Sequence, residues 1–184
     1  AGSPCPQRPA GSDMHIGPQP FVLAGGMESM GHEGRIEGIG VAVDEGTDRV
    51  PAVIIAADDR YIPIMVTPDQ ARAIHLGMHG NSFERPLTHD LLVEMVTDLG
   101  GAIDQVRIDA LRGGTFLAKV DTEQYREGSV QARVFDARPS DAIAIAVRAD
   151  CPIEVAAEVV AAAGQDPEEL DLLDPDDIPD HEGT

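Results

Sequence analysis

Polar residues capable of acid-base or phosphate chemistry stand together where an alternating stretch gives way to an apolar run. These residues are Asp136, Arg138, Ser140 and Asp141. Pro139 fixes its own φ and biases the preceding residue towards an extended conformation, which predicts that a strand ends at Arg138. The hydroxyl of Ser140 is suited to cap the first free N–H groups of a helix, so a helix is predicted to start there. The polar groups are therefore expected at one strand-to-helix junction.

A second stretch repeats this arrangement. Arg85 precedes a proline, Thr88 supplies a hydroxyl suited to N-capping, and Asp90 follows in the predicted first helical turn, where the helix dipole favours negative charge. His89 lies beside Asp90, and an imidazole that titrates near neutral pH can serve as general acid or base. The two stretches together therefore offer arginines, carboxylates and a histidine at two helix starts.

Two interpretations of the carboxylates remain open from the residues alone. Asp90, Asp136 and Asp141 could converge as oxygen ligands for a hard cation such as Mg²⁺ or Mn²⁺. Alternatively, each acid pairs with Arg85 or Arg138, and these bidentate ion pairs hold the two helix starts together. A solvent-open cleft shared by the acids and His89 would favour chemistry, whereas separate buried ion pairs would favour a structural network.

Three segments carry a resemblance to a known family. Residues Arg85 to Leu92, Gly114 to Phe116 and Asp136 to Ala144 resemble the signature segments of the bifunctional nuclease (BFN) domain family, in the same order, within a region from Ile36 to Gly164. The resemblance implies a nuclease that hydrolyses phosphodiester bonds in DNA and RNA. The site residues expected from it are Arg85, His89, Asp90, Asp136, Arg138, Ser140 and Asp141. The alternative is a non-catalytic ligand-binding or regulatory module with a structural Arg/Asp network.

The charge balance points to a high-salt environment. Among 184 residues, 33 acids face 13 bases, the formal net charge is −20, and the only lysine is Lys119. Clustered carboxylates stay hydrated and their repulsion is screened in molar salt, so a halophilic, haloarchaeal source is expected. The alternative is a mesophilic acidic protein with a disordered acidic tail. No basic patch is visible, which opposes a nuclease that depends on counterion release. A nuclease with this composition would rely on a few placed arginines.

Hydrophobic periodicity predicts an α+β domain at 34–164, with a mixed, mainly antiparallel sheet covered by helices. Residues 1–33 are expected to form a disordered extension and residues 165–184 an acidic disordered tail. A capping box at Thr67 to Gln70 predicts a helix from Pro68 to about His79. The residues expected to be buried in the two helices before the second group of strands are Ala71, Ile74, Met78, Leu91, Leu92, Met95, Val96 and Leu99.

Several classes of protein are disfavoured. No apolar run approaches the roughly 18 residues of a membrane span, and no phosphate-binding loop motif is present, so a cytoplasmic protein without nucleotide-driven chemistry is expected. Cys5 and Cys151 show neither metal-ligand nor disulfide spacing and are interpreted as reduced. Nucleic acid is the expected partner, and a homodimer is predicted from the apolar faces of strands and helices.

Overall fold

One mixed sheet and four helices make up the computed structural model, which describes residues 31–43, 49–80, 84–126, 128–169 and 171–172. The strands are β1 (Gly31–Val43), β2 (Arg49–Ala57), β3 (Arg60–Met65), β4 (Gly101–Arg112), β5 (Thr115–Arg126), β6 (Ser129–Ala137), β7 (Ile153–Ala156) and β8 (Asp171–Leu172). The helices are α1 (Pro68–Met78), α2 (Thr88–Asp98), α3 (Pro139–Ala149) and α4 (Ala157–Ala163).

The sheet joins two antiparallel meanders. Its order is β3-β2-β1-β7-β4-β5-β6, with β8 paired to β1. Strand β7 links the halves, antiparallel to β1 and parallel to β4. The remaining pairs are antiparallel, which confirms the predicted α+β class.

Small aliphatic side chains form the core, as the scarcity of aromatic residues requires. Val106 and Ile108 of β4 are fully buried, and so are Ile74 of α1 and Ile143 of α3. Five consecutive residues of α3, from Ala142 to Ala146, are buried. Because a helix that is apolar on all sides must be covered on all sides, α3 occupies the centre of the helical layer, in contact with both α1 and α2.

Helix α1 confirms its predicted capping box. The backbone N–H of Gln70 donates to Thr67 Oγ1 (3.4 Å), and the backbone N–H of Thr67 donates to Gln70 Oε1 (2.9 Å). Ala71 and Ile74 are buried as predicted, but Met78 is exposed because it lies at the last turn, beyond the core. A Cβ on Gly77 would come within 2.5 Å of Val147 Cγ2, so this glycine lets α1 and α3 pack closely.

The predicted N-caps of α2 and α3 were wrong by one and two residues, respectively. Arg138 is the N-cap of α3 and Pro139 occupies the first helical turn, which leaves Ser140 buried inside the helix without a capping hydrogen bond. Proline favours this position because its fixed φ is helical and its missing N–H has no partner there anyway. Leu87 is the N-cap of α2, so Thr88 is the first helical residue.

The prediction that α2 buries a full apolar stripe was also wrong. Leu91, Leu92, Met95 and Leu99 are exposed, whereas Val93 and Val96 are half-buried. Val93 packs against the core, and Val96 approaches Gly101 at the start of β4. The helix therefore contacts the rest of the chain through a narrow strip and leaves its main apolar face uncovered by the described residues.

Ordered structure extends beyond both predicted domain boundaries. Strand β1 begins at Gly31, and Gln165 exchanges two backbone hydrogen bonds with Tyr61 (2.8 and 2.9 Å). Strand β8 pairs with Gly40 and Val41 of β1. The predictions of disorder at 1–30 and 173–184 concern residues outside the described part of the chain.

Candidate functional site

The first turns of α2 and α3 meet at a histidine-carboxylate contact. His89 Nε2 lies 3.5 Å from Asp141 Oδ1. Arg138 binds the same carboxylate through two bonds, from Nε to Oδ2 at 2.6 Å and from Nη2 to Oδ1 at 3.1 Å. The structure therefore brings together three of the residues predicted for the site.

Exposure differs sharply within this cluster. The side chains of His89 and Asp141 are 21% and 30% exposed, whereas that of Arg138 is 71% exposed. The histidine and the acid are thus partly sheltered, while the guanidinium reaches into solvent. An anion approaching the two helix N-termini would meet the arginine and the positive ends of both helix dipoles.

The pKa of Asp141 lies below its ordinary value. Partial burial acts to raise the pKa, but the hydrogen bonds from Arg138 and His89 and the charges of both groups outweigh it. The hydrogen bond and charge of Asp141 in turn raise the pKa of Arg138. The carboxylate is therefore held ionised beside the imidazole.

This lowered pKa predicts an acid-dependent contribution to stability. Because ionised Asp141 is favoured in the folded chain, its contribution is complete above the ordinary value of 3.8 and is lost as pH falls through the lower folded pKa. Urea unfolding of wild type and Asp141→Asn should give a free-energy difference that is constant near neutral pH and shrinks below about pH 4. A difference that grows on acidification would contradict the assigned direction of the pKa shift.

Asp90 belongs to a separate network. Its Oδ1 contacts Arg148 Nε, and its Oδ2 accepts a hydrogen bond from the Leu87 N–H (2.9 Å). Arg148, only 7% exposed, also donates from Nη1 to Ala144 O (2.8 Å) and from Nη2 to Ala73 O (2.9 Å). One guanidinium thus ties α1, α2 and α3 together. Arg148 was not among the predicted site residues, because a basic residue in the last turn of a helix ordinarily only complements the helix dipole.

The remaining predicted residues lie apart from the His89–Asp141 contact. Asp136 is exposed and pairs in register with Lys119, so its side chain projects from the sheet face opposite the buried Val120 and Ala118. Arg85 is exposed shortly before α2, and no side chain of the described residues bonds its guanidinium.

The donor set does not fit the metal site considered from the sequence. Across 31–43, 49–80, 84–126, 128–169 and 171–172, no three His, Cys, Asp or Glu side chains are grouped so as to hold a metal ion. Asp90 and Asp141 instead bind arginines, as the alternative interpretation proposed, but the partner of Asp90 is Arg148 rather than Arg85.

The chain's lysine belongs to another charged group. Lys119 Nζ lies 2.8 Å from Asp109 Oδ2. Arg107, its cross-strand neighbour, donates to both carboxylate oxygens of Asp121, from Nε at 2.7 Å and from Nη2 at 2.8 Å. These bases are neutralised on the sheet face away from α3, whereas Arg138 and Arg85 are exposed arginines near the starts of α3 and α2.

No helix within the described residues is long and apolar enough to cross a membrane.

Comparison with known proteins agrees with this arrangement of segments. The family model described as "Bifunctional nuclease domain" matches residues 53–168, a range that contains the junction at α2 and α3.

Four relatives place the chain among bacterial and plant proteins. An uncharacterized protein present in two strains of Mycobacterium tuberculosis is 37% identical over 153 residues, which cover 82% of this chain and 84% of that protein. "Bifunctional nuclease 2" of Oryza sativa subsp. japonica and "Bifunctional nuclease 1" of Arabidopsis thaliana are each 30% identical and align with 57% of this chain and 33% of their own length. The chain therefore belongs to the bifunctional nuclease domain family.

Proposed function

We propose that this chain hydrolyses phosphodiester bonds in DNA and RNA at the cluster of His89, Arg138 and Asp141. The observation that carries the proposal is the histidine held by an ionised carboxylate beside an exposed arginine, at two adjoining helix N-termini. Membership of the family and the printed names of the two plant relatives support the substrate class.

His89 is proposed to move the proton. When Nε2–H donates to Asp141, the neutral ring keeps a lone pair on Nδ1, which can accept a proton from water. The water oxygen forms a bond to phosphorus as the bond to the leaving oxygen breaks, and the imidazolium then returns a proton to that leaving oxygen. The long 3.5 Å contact is compatible with this role because catalytic hydrogen bonds often shorten only when substrate is bound.

Arg138 is proposed to bind the phosphate. A guanidinium has five N–H donors, and the two bonds to Asp141 leave the others free to donate to phosphate oxygens. Arg85 would add a second contact from the start of α2. Asp141 is a positioning residue that orients both His89 and Arg138. No step in this scheme requires a metal ion.

The acidic composition supports activity in molar salt inside the cell, where attraction between a basic surface and phosphates would contribute little. A site with two arginines makes few phosphate contacts. Substrate binding should therefore depend only weakly on salt, with a slope of log K against log [salt] of about −1.4 for a single strand.

Arg138→Gln is expected to lower kcat/KM on single-stranded RNA by about ten- to a hundredfold, because the variant loses the charge-assisted hydrogen bonds from the guanidinium to the phosphate. The assay uses the purified chain in molar KCl without nucleoside triphosphates. The matched control is Arg112→Gln, an exposed arginine at the end of β4. Equal activity of wild type and Arg138→Gln would contradict the phosphate-binding role. Saturable RNA binding by a wild type that never cleaves would favour a regulatory module.

A further inference from the structure

Strand β6 is an open edge of the sheet. Residues 129–136 are exposed, and no strand of the described residues pairs with the outer side of β6. The Tyr125 N–H donates to Gly100 O, towards β4. Backbone groups alternate along a strand, so those of Gln124 and Thr122 point to β6 and pair with Gln131 and Arg133.

The same alternation identifies the free hydrogen-bonding groups. Val130, Ala132 and Val134 direct their N–H and C=O groups to the open side of β6. Their side chains occupy the sheet face shared with Tyr125, and Val130 and Val134 are 54% and 55% exposed. An unprotected edge of this kind is a template for pairing with another strand.

This edge is complementary to itself. Val-x-Ala-x-Val reads the same in both directions about Ala132. A twofold axis through Ala132, normal to the sheet, would place Val130 opposite Val134 of a second copy and Ala132 opposite its own equivalent. Gln131 would face Arg133. An axis at Arg133 would instead set two like charges opposite each other, which is unfavourable.

Helix α2 supplies the second part of the surface. At about 100° per residue, Leu91, Leu92, Met95 and Leu99 share a face that is turned well away from the side of Asp90, which contacts Arg148 of α3. Helix α3 contacts both α1 and α2, and α1 contacts β2 whereas α3 contacts β4 and β5. In this order α2 stands on the far side of α3 from α1, and its apolar face is turned away from α3. These four side chains are 41–72% exposed.

Charge favours a second copy as the occupant. A chain with a formal net charge of −20 repels its own copies unless the contact surface carries few acids. From Ser129 to Phe135 the strand has one charged residue, Arg133, and no acid. The α2 face adds exposed leucines and a methionine, and Phe135, on the helical side of β6, is 53% exposed.

We propose that two copies of this chain pair through β6, antiparallel about a twofold axis at Ala132, with the apolar faces of their α2 helices packing together above the joined strands. The sheet then continues across the two copies. This assembly does not depend on the proposed nuclease activity.

The register is tested by disulfide formation. In full-length chains with Cys5 and Cys151 replaced by serine, Ala132→Cys should form an inter-chain disulfide on mild oxidation, because Cα atoms of a hydrogen-bonded pair lie about 5.5 Å apart. Val130→Cys is the matched control, since its two copies would lie more than about 13 Å apart. Cross-linking of Val130→Cys without Ala132→Cys would overturn the proposed register.

Assembly itself is tested by light scattering in molar KCl. Wild type should have the mass of a dimer, and Val134→Lys should have the mass of a monomer, because a lysine opposes edge pairing. Circular dichroism of the variant should match wild type, since Val134 is exposed in the single copy. A wild type that is monomeric over a wide concentration range would overturn the proposal. The β6 edge would then be covered by another segment of its own chain.

Discussion

Replacement of Arg148 by alanine is expected to destabilise the fold by about 3–5 kcal/mol, the cost of removing one partner of a buried ion pair. The guanidinium is almost fully buried and bonds the Asp90 carboxylate and the carbonyl oxygens of Ala73 and Ala144. Its loss leaves a carboxylate and two carbonyls without these donors and removes the link between three helices.

Urea unfolding at fixed salt measures this effect. Arg112→Ala is the control, because an exposed arginine outside a network should change the free energy of unfolding by no more than about 0.5 kcal/mol. Arg148→Lys should fall between the two, since it keeps the charge but loses the planar arrangement of donors. A loss below about 1 kcal/mol for Arg148→Ala would show that the network is not structurally important.

His89→Gln is expected to lower kcat on single-stranded RNA by about 10²- to 10⁴-fold, the usual contribution of general acid-base catalysis. Glutamine keeps a polar side chain but cannot accept and return a proton near neutral pH. Because Arg138 is unchanged, KM should change far less than kcat. The limb of the wild-type pH-rate profile that depends on His89 should be absent from the profile of the variant.

His79→Gln is the matched control for this substitution. His79 is the exposed C-cap residue of α1, and its Nδ1 lies 2.9 Å from His75 O. It should retain wild-type activity. Equal kcat for wild type and His89→Gln would show that the imidazole takes no part in proton transfer.

Local patterns predicted most of the fold. Hydrophobic periodicity predicted the mainly antiparallel sheet and its helices, and Thr67 and Gln70 predicted the start of α1, because these signals depend on short-range backbone geometry. The cap of α3 was misplaced because Pro139 takes the first helical position, which makes Arg138 the N-cap. Asp136 was grouped with Asp141 because the two residues are close in the chain. Strand alternation, however, places the Asp136 side chain on the sheet face away from the helices.

Tertiary partners were harder to predict. The periodicity of α2 is that of a buried helix, but it does not tell whether the apolar face meets its own core or another chain. Arg148 resembles an ordinary C-terminal helix residue until the approach of α1 and α2 surrounds it. His89 and Asp141 lie 52 residues apart in the chain, at the starts of α2 and α3. Their contact is set by the packing of α2 against α3, which local patterns do not reveal.

The most direct measurement is cleavage of end-labelled single-stranded RNA by wild type and Asp141→Asn, purified identically and assayed in molar KCl at neutral pH. Asparagine is nearly isosteric with aspartate but removes the charge that orients His89 and binds Arg138. We expect wild type to cleave the RNA and the folded Asp141→Asn variant to lose at least about 99% of that activity. Cleavage at the same rate by both proteins would contradict it.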